Sequence, residues 1–158
     1  MGDVSLFLLN GGIFMDKIDA MIINSLQVNA RTSLKVLASK VYLSAPAVSS
    51  RIEKLEKQGI IAGYNTVVDY EKLGYNITAF INLEITAQQK SEVYPFITQC
   101  PNVLECNCVT GSYAMLIKVA FPNTHELDTF IEQLQYYGKT STQIVFSTPV
   151  PHREIMVD

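Results

Sequence analysis

The chain has 158 residues, of which 48% are hydrophobic and 17% are charged, and its net charge is −3. This composition suits one ordinary domain or two small ones and excludes an intrinsically disordered chain. No apolar run reaches the roughly 18–20 residues that are needed to cross a bilayer. The odd count of 3 cysteines argues against a disulfide framework and fits a reducing compartment. We therefore expect a cytoplasmic protein that does not bind a membrane.

Charge is divided unevenly along the chain. Residues 15–64 contain seven basic and four acidic side chains, whereas residues 65–158 contain five basic and ten acidic ones. A basic part joined to an acidic part indicates that only the first part meets a polyanion. A chance split is the alternative, so the charge needs support from the residue pattern.

The N-terminal part predicts three helices. The first runs from Asp16 to near Gln27, the second follows the N-cap Ser33, and the third runs from the N-cap Ser44 to Gly59. Two short helices with a tight connection at 41–43, followed by a longer capped helix, make a helix-turn-helix. Periodicity assigns these residues to the inner faces: Ile18, Met21, Ile22, Leu26, Leu34, Leu37, Ala38, Val48, Ile52 and Leu55.

In a helix-turn-helix, the first two turns of the third helix reach base edges in the major groove. Here those turns carry mostly short side chains, and only Arg51 offers a bidentate base contact. We therefore expect phosphates to supply most of the affinity and DNA shape to supply much of the sequence preference. The candidate DNA-binding residues are Lys35, Lys40, Ser44, Pro46, Ala47, Ser49, Ser50, Arg51 and Lys54.

A different interpretation of the lysines on the third helix is a solvated face. In that case Glu53 and Lys57 form an i,i+4 pair, and Lys54 simply points into water.

The C-terminal part predicts the order βαββαβ. Strands are expected at 78–86, 102–110, 113–121 and 141–148, and helices at 91–100, capped by Ser91, and from a cap at Thr124. This is the ferredoxin-like, split βαβ arrangement, so the fold class is α+β. Apolar residues occur on both sides of the strands, which predicts that a second copy covers the open face of the sheet. The extended segment 62–70 is expected to pair with the partner chain as a strand.

Little else in the sequence points to chemistry. Cys106 and Cys108 fall on one side of a strand, but a metal site needs three or four ligands, so core positions are favoured. Neither His125 nor His152 has a serine or cysteine partner at a catalytic spacing. We expect no metal, no cofactor and no enzymatic activity.

Several short motifs occur along the chain in a characteristic order. They are Asp16-Lys17-Ile18-Asp19, Leu43-Ser44, Arg51-Ile52 with Leu55-Glu56, Gly59-Ile60-Ile61 with Gly63-Tyr64, Lys72-Leu73-Gly74, Val103-Leu104-Glu105-Cys106 and Val109-Thr110-Gly111-Ser112-Tyr113. Together they resemble the motifs of the Lrp/AsnC (leucine-responsive, feast/famine) transcription regulators. The resemblance covers about residues 15–150 and is specific as a set. It implies a winged-type helix-turn-helix followed by an ACT-like regulatory domain, in dimers that associate into octamers and bend double-stranded DNA.

The resemblance also implies a domain organisation. Because Met15-Asp16 looks like the usual start of the family, residues 1–14 are expected to be a non-native or disordered extension. The DNA-binding domain then covers 15–61, a linker strand covers 62–77, the oligomerisation and effector domain covers 78–150, and a tail covers 151–158.

Many family members bind an amino acid near the loop that matches 110–114. That loop often reads Gly-Asp-Tyr-Asp, whereas this chain reads Gly111-Ser112-Tyr113-Ala114, without either carboxylate. An ammonium group then has only hydroxyls and backbone to bind it. The candidate effector-binding residues are Thr110, Gly111, Ser112, Tyr113, Ala114, Thr140 and Thr142, although turns and strands also favour these residue types without any ligand.

Two further departures lie in the helix-turn-helix. Val36 replaces the glutamate of a capping box, and Tyr42 stands where the family usually has glycine. Three functions compete on this reading. The chain is an effector-modulated transcription regulator, an effector-less architectural DNA-bending protein, or an amino-acid-sensing module that acts through protein partners.

Overall fold

The computed structural model describes residues 7–9 and 13–158, and the chain divides into two compact units. The first, called the helical unit, contains the residues up to Val67 together with His152–Asp158. The second, called the sheet unit, contains Val68–Pro151. The chain therefore passes between the units twice, once at 67–68 and again at 151–152.

Three helices form the helical unit, as predicted, and their bounds agree with the prediction to within one or two residues. A short antiparallel hairpin precedes them. In chain order the elements are β1 (Phe7–Leu9), β2 (Ile13–Met15), α1 (Lys17–Val28), α2 (Leu34–Val41) and α3 (Ala45–Lys57).

Polar side chains begin each helix. Ser33 and Ser44 cap α2 and α3 as expected, and their hydroxyls accept from the backbone N–H three residues on. Asp16 caps α1 in a reciprocal capping box with Asp19, which the sequence pattern did not reveal. Gly59 ends the turn after α3 at φ +71°, which confirms its predicted role.

Tyr42 ends α2 in a left-handed conformation at φ +56°. Glycine adopts this conformation at no steric cost, whereas for a residue with a Cβ the conformation costs about 1–2 kcal/mol. The turn therefore keeps the geometry that a glycine would give it, and the Tyr42 ring is 92% exposed.

The core of the helical unit contains Ile22, Leu37 and Val48, each fully buried. Two predictions of inward-facing residues were wrong, since Met21 and Leu34 are 45% and 40% exposed. Met21 falls outside because α1 contacts two clusters at once, which turns a different set of its residues inward. Leu34 is the first residue of α2 and lies at its open end. The buried residues of α1 are Asp19, Ala20, Ile22 and Ile23.

The expectation of a non-native or disordered extension at residues 1–14 stays a prediction. Residues 1–6 and 10–12 lie outside the described part of the chain, and the backbone of 7–9 and 13–15 forms the hairpin β1–β2. Met15 at its end is 2% exposed and belongs to a cluster with Ala20, Ile23 and Leu55.

The sheet unit has the predicted order βαββαβ. Its four strands are all antiparallel neighbours in the order β4-β5-β3-β6, which is the ferredoxin-like topology. The elements are β3 (Ile77–Glu84), α4 (Lys90–Gln99), β4 (Val103–Cys108), β5 (Met115–Phe121), α5 (Thr124–Gln135) and β6 (Lys139–Ile144).

Both predicted helix caps in this unit were wrong. α4 begins one residue earlier than expected, so Ser91 lies inside it and its hydroxyl donates to the Gln88 carbonyl. Asn123 caps α5 instead of Thr124, because its side chain both accepts from the Glu126 N–H and donates to the Glu126 carboxylate.

The linker 62–70 joins no strand within the described part of this chain, and a single 3-10 turn, Glu71–Leu73, follows it. Its pairing with a partner chain stays a prediction.

One face of the sheet carries the core. Alternate residues of β3 and β5 are fully buried against α4 and α5, including Ile81, Leu83 and Ile117. On the opposite face Phe80 and Leu116 are only half-buried, and the Lys118 ammonium lies 5.9 Å from the Phe80 ring centre. Among the described residues, no helix is long and apolar enough to cross a membrane.

Candidate DNA-binding surface

The first two turns of α3 present short side chains to solvent. Its inner residues Val48 and Leu55 are buried, so the opposite side of the helix points outward. Ser44, Pro46 and Ser50 are exposed, while Ala47 and Ser49 are half-buried. This is the surface that the sequence predicted, and we call it the α3 tip.

The chemistry of the α3 tip suits an anion. The first backbone N–H groups of a helix lack intrahelical partners and carry the positive end of the helix dipole. Ser44 uses an oxygen lone pair to accept from the Ala47 N–H at 3.3 Å, so its hydroxyl hydrogen is free to donate. Because the neighbouring side chains are small, a duplex backbone can approach the helix end closely.

Three predicted lysines of the helical unit are exposed: Lys35, Lys40 and Lys54. None of the ion pairs found in the described residues involves them. The alternative pair of Glu53 with Lys57 is absent from the same set, and the Glu53 carboxylate accepts from the Ser49 hydroxyl at 3.4 Å. The ammonium groups of Lys35, Lys40 and Lys54 are therefore accessible to an external anion.

Arg51 lies in a different environment from these lysines. Its Nη1 atom donates to a carboxylate oxygen of Asp16 at 2.8 Å and to one of Asp19 at 2.7 Å. The side chains are 29%, 14% and 6% exposed respectively. We call this group the Arg51 clamp, because it fixes the middle of α3 to the first turn of α1.

The clamp shifts the ionisation of its members. Burial raises the pKa of the Asp16 carboxyl, but the Asp19 N–H and the Arg51 guanidinium outweigh it, so the net pKa is lowered from 3.8. Burial likewise lowers the pKa of Arg51, and the two carboxylates more than compensate and raise it. Asp16 and Arg51 each favour their charged form in this pair.

The clamp changes the interpretation of Arg51. Its use as a DNA contact stays a prediction, but a phosphate or a guanine would have to compete with two carboxylates that are already bound. Sequence reasoning missed Asp16 and Asp19 as its partners. No local pattern marked them as partners, because they lie 35 and 32 positions from Arg51.

A further hydrogen bond in the helical unit also had no signal in the sequence pattern. The Tyr64 hydroxyl donates to the Glu56 carboxylate at 2.7 Å, and burial together with this acceptor raises the pKa of Tyr64 to about 12. It ties the Gly63-Tyr64 segment back to α3.

The candidate effector loop lies in the sheet unit. Gly111 has φ +112°, a conformation that favours glycine. The Val109 N–H donates to the Ala114 carbonyl at 3.1 Å, and the Ala114 N–H donates to the Leu83 carbonyl at 3.0 Å. These bonds fasten the loop to the end of β3.

Thr140 lies at the same end of the sheet, since it is opposite Leu83 in the β3–β6 register. Its hydroxyl accepts from the Gln135 side chain at 3.3 Å. Thr142 lies two pairs further along, opposite Ile81. β3 lies between β5 and β6 in the sheet. About 10 Å therefore separates β5, which follows the loop, from β6, which carries the two threonines. Thr110 and Ser112 are exposed, and Tyr113 and Ala114 are half-buried.

The prediction that Cys106 and Cys108 are core residues was wrong, because both are exposed. β4 is an edge strand, so its inward side is covered incompletely. The Tyr94 hydroxyl lies 3.2 Å from the Cys108 sulfur. Within the described residues, no three histidine, cysteine or acidic side chains come together as a metal site would require.

A helix-turn-helix joined to a ferredoxin-like sheet defines a class of DNA-binding regulators. Family models agree with this assignment. Residues 15–62 match a winged helix-turn-helix DNA-binding domain, and residues 78–155 match the Lrp/AsnC ligand-binding domain. The chain belongs to the Lrp/AsnC family and is a DNA-binding transcription regulator.

Individual relatives agree with the family models. The chain is 36% identical to the HTH-type transcriptional regulator LrpA of Bacillus subtilis over 132 residues, 83% of this chain and 97% of that protein. The structure of B. subtilis LrpC matches with a TM-score of 0.84 at 28% identity, covering 89% of this chain and all of that one. A complex of the Neisseria meningitidis regulator NMB0573 with L-Met matches with a TM-score of 0.81 at 25% identity, covering 88% and 94% of the two chains.

Proposed function

We propose that this regulator binds double-stranded DNA, in the cytoplasm, by placing the α3 tip in the major groove while the exposed lysines contact flanking phosphates. The observation that carries the proposal is the combination of a short-chained, exposed helix start with Lys35, Lys40 and Lys54, which no described acidic group neutralises. The small side chains at the α3 tip make few direct contacts to bases, so DNA shape supplies much of the preference for particular DNA sequences.

Arg51 acts in this proposal as a positioning residue. The clamp fixes the orientation of α3 on α1, so the tip reaches DNA without reorganising. The binding charge then comes from lysines, which contact phosphate as point charges.

A salt titration tests this mode of binding. We expect the logarithm of the association constant to fall linearly with the logarithm of salt concentration, by about 0.9 per neutralised phosphate. Fluorescence anisotropy of a labelled duplex measures it. An association constant that does not change with salt concentration would contradict phosphate binding by the lysines.

We further propose a homodimer that assembles toward an octamer. Phe80 and Leu116 leave apolar surface on the open face of the sheet, and a second copy that covers it removes this surface from water. A twofold dimer also presents two α3 tips to successive major grooves about 34–36 Å apart. Light scattering at several protein concentrations tests the assembly.

The candidate effector is an amino acid or a related metabolite, and the L-Met complex of the N. meningitidis relative supports this class of ligand. In this chain the loop offers the Thr110 and Ser112 hydroxyls, and Thr140 and Thr142 lie on the far side of β3. The loop holds no carboxylate, so an ammonium group is bound by neutral acceptors and its affinity is lower than in a site with an acidic residue.

Thermal denaturation with a panel of amino acids and keto acids tests the effector. A ligand that binds only the native state raises the melting temperature. At a ligand concentration of a hundred times its Kd, it adds about 2.7 kcal/mol to the free energy of unfolding. We expect at least one compound of the panel to raise the melting temperature, and we expect Ser112→Ala to reduce that rise. A panel without any shift favours the architectural DNA-bending protein instead.

A further inference from the structure

The chain segment after the sheet unit returns to the helical unit, where it contacts α1. The Asn24 side chain donates from Nδ2 to the Val157 carbonyl at 2.7 Å, and its Oδ1 accepts from the Val157 N–H at 2.9 Å. One turn further along α1, the Gln27 Nε2 donates to the Ile155 carbonyl at 3.2 Å. Two amides on one helix face thus bind the backbone of an extended segment.

This segment has few other contacts that could hold it in place. The Val157 side chain is half-buried beside the cluster of Met15, Ala20, Ile23 and Leu55. Ile155 and Met156 are 85% and 65% exposed. The described contacts that hold the segment are hydrogen bonds between its backbone and the side-chain amides of Asn24 and Gln27, together with the packing of the Val157 side chain.

The bonding pattern is that of peptide recognition. A side-chain amide that both donates to and accepts from a single residue reproduces the pairing of neighbouring strands, so it recognises an extended backbone. Selectivity then comes from the pocket that receives the side chain, here Val157. Asparagine is less favourable than alanine in a helix interior, and the two hydrogen bonds of Asn24 to the segment offset that cost.

We propose that the α1 face of Asn24 and Gln27 is a peptide-binding site, and that its ligand is residues 155–157 of the same chain. The docked segment stabilises the helical unit because Val157 extends the cluster under α3. This proposal does not rest on the proposed DNA binding, because its contacts and its tests concern the protein without DNA.

Amide hydrogen exchange at Val157 in the full-length chain, followed by NMR, tests the site. In the wild-type protein we expect this amide to exchange at least ten times more slowly than in the free peptide 152–158. Asn24→Ala removes both partners of Val157, so the amide should then exchange at nearly the free-peptide rate. Ser25→Ala, on the same helix and outside these contacts, should leave the rate unchanged.

A second measurement supplies the ligand in trans. A chain ending at Pro151 is titrated with peptide 152–158, and shifts of the Asn24 side-chain NH2 signals should saturate, whereas the same peptide with Val157→Asp should give none. If the shortened chain does not fold, the exchange comparison decides alone. The proposal would be overturned if the Val157 amide of the wild-type protein exchanged as fast as in the free peptide. It would also be overturned if Asn24→Ala and Ser25→Ala accelerated this exchange equally.

Discussion

Replacing Arg51 with methionine destabilises the helical unit by about 2–3 kcal/mol. Methionine keeps the apolar stem but leaves the Asp16 and Asp19 carboxylates, 14% and 6% exposed, without their cation. Breaking a buried pair costs roughly 3–5 kcal/mol, and the 29% exposure of Arg51 reduces this because water screens part of the charge. Urea denaturation followed by circular dichroism measures the change.

Lys54→Met is the control for Arg51→Met, since it also replaces a cationic side chain with methionine, one turn away on the exposed face of α3. We expect it to alter stability by less than about 0.5 kcal/mol. Equal stabilities for the two variants would show that the clamp contributes nothing.

The clamp also predicts how stability depends on pH. The pKa of Asp16 is lower in the folded chain than its ordinary value of 3.8, so its contribution is complete above that value and is lost as the pH falls through the folded pKa. In Arg51→Met this acid-sensitive contribution should be smaller. Unfolding measured between about pH 2 and 6 compares the two proteins, and parallel acid limbs would contradict the assignment.

Replacing Lys35, Lys40 and Lys54 together with glutamine weakens DNA binding on the order of 100-fold at physiological salt. The three ammonium groups are exposed and form none of the described ion pairs, so glutamine removes charge without disturbing a neighbouring group. The salt dependence should also become shallower, by about 0.9 for each phosphate that the variant no longer neutralises. Anisotropy titrations with one duplex at several salt concentrations give both quantities.

A triple variant in the sheet unit controls for net charge, and one of its lysines, Lys72, is paired with Asp69 at 3.2 Å. Lys72, Lys90 and Lys139 changed to glutamine alter the net charge by the same amount. The proposal expects their effect on DNA affinity to be small, because none of the three belongs to the proposed DNA-binding surface and salt screens charges that do not contact phosphate. Equal losses of affinity for both triple variants would indicate that only net charge matters.

Local signals made the helices predictable. Ser44, Pro46 and Gly59 lie close in sequence to the ends of α3, and capping depends on neighbours within four residues. The order of elements in the sheet unit followed from hydrophobic runs in the same way. For α5 the local pattern located the start of the helix, but it assigned the cap to Thr124, whereas the preceding residue Asn123 caps the helix.

Contacts between residues distant in sequence were not predictable. Arg51 meets Asp16 and Asp19 from 35 and 32 positions away, and Asn24 meets Val157 from 133 positions away. A side chain that carries charge looks the same in sequence whether it faces solvent or another helix.

The exposure of Cys106 depended on the strand order, which places β4 at the edge of the sheet. The position of the α3 tip was predicted because it depends on the period of a single helix.

Site-specific photo-crosslinking tests the central claim most directly. A photoreactive amino acid at position 50, on the α3 tip, should crosslink to bound duplex with high yield. The same residue at position 128, exposed on α5 in the sheet unit, should give background yield. Strong crosslinking at position 128 with none at position 50 would contradict the account.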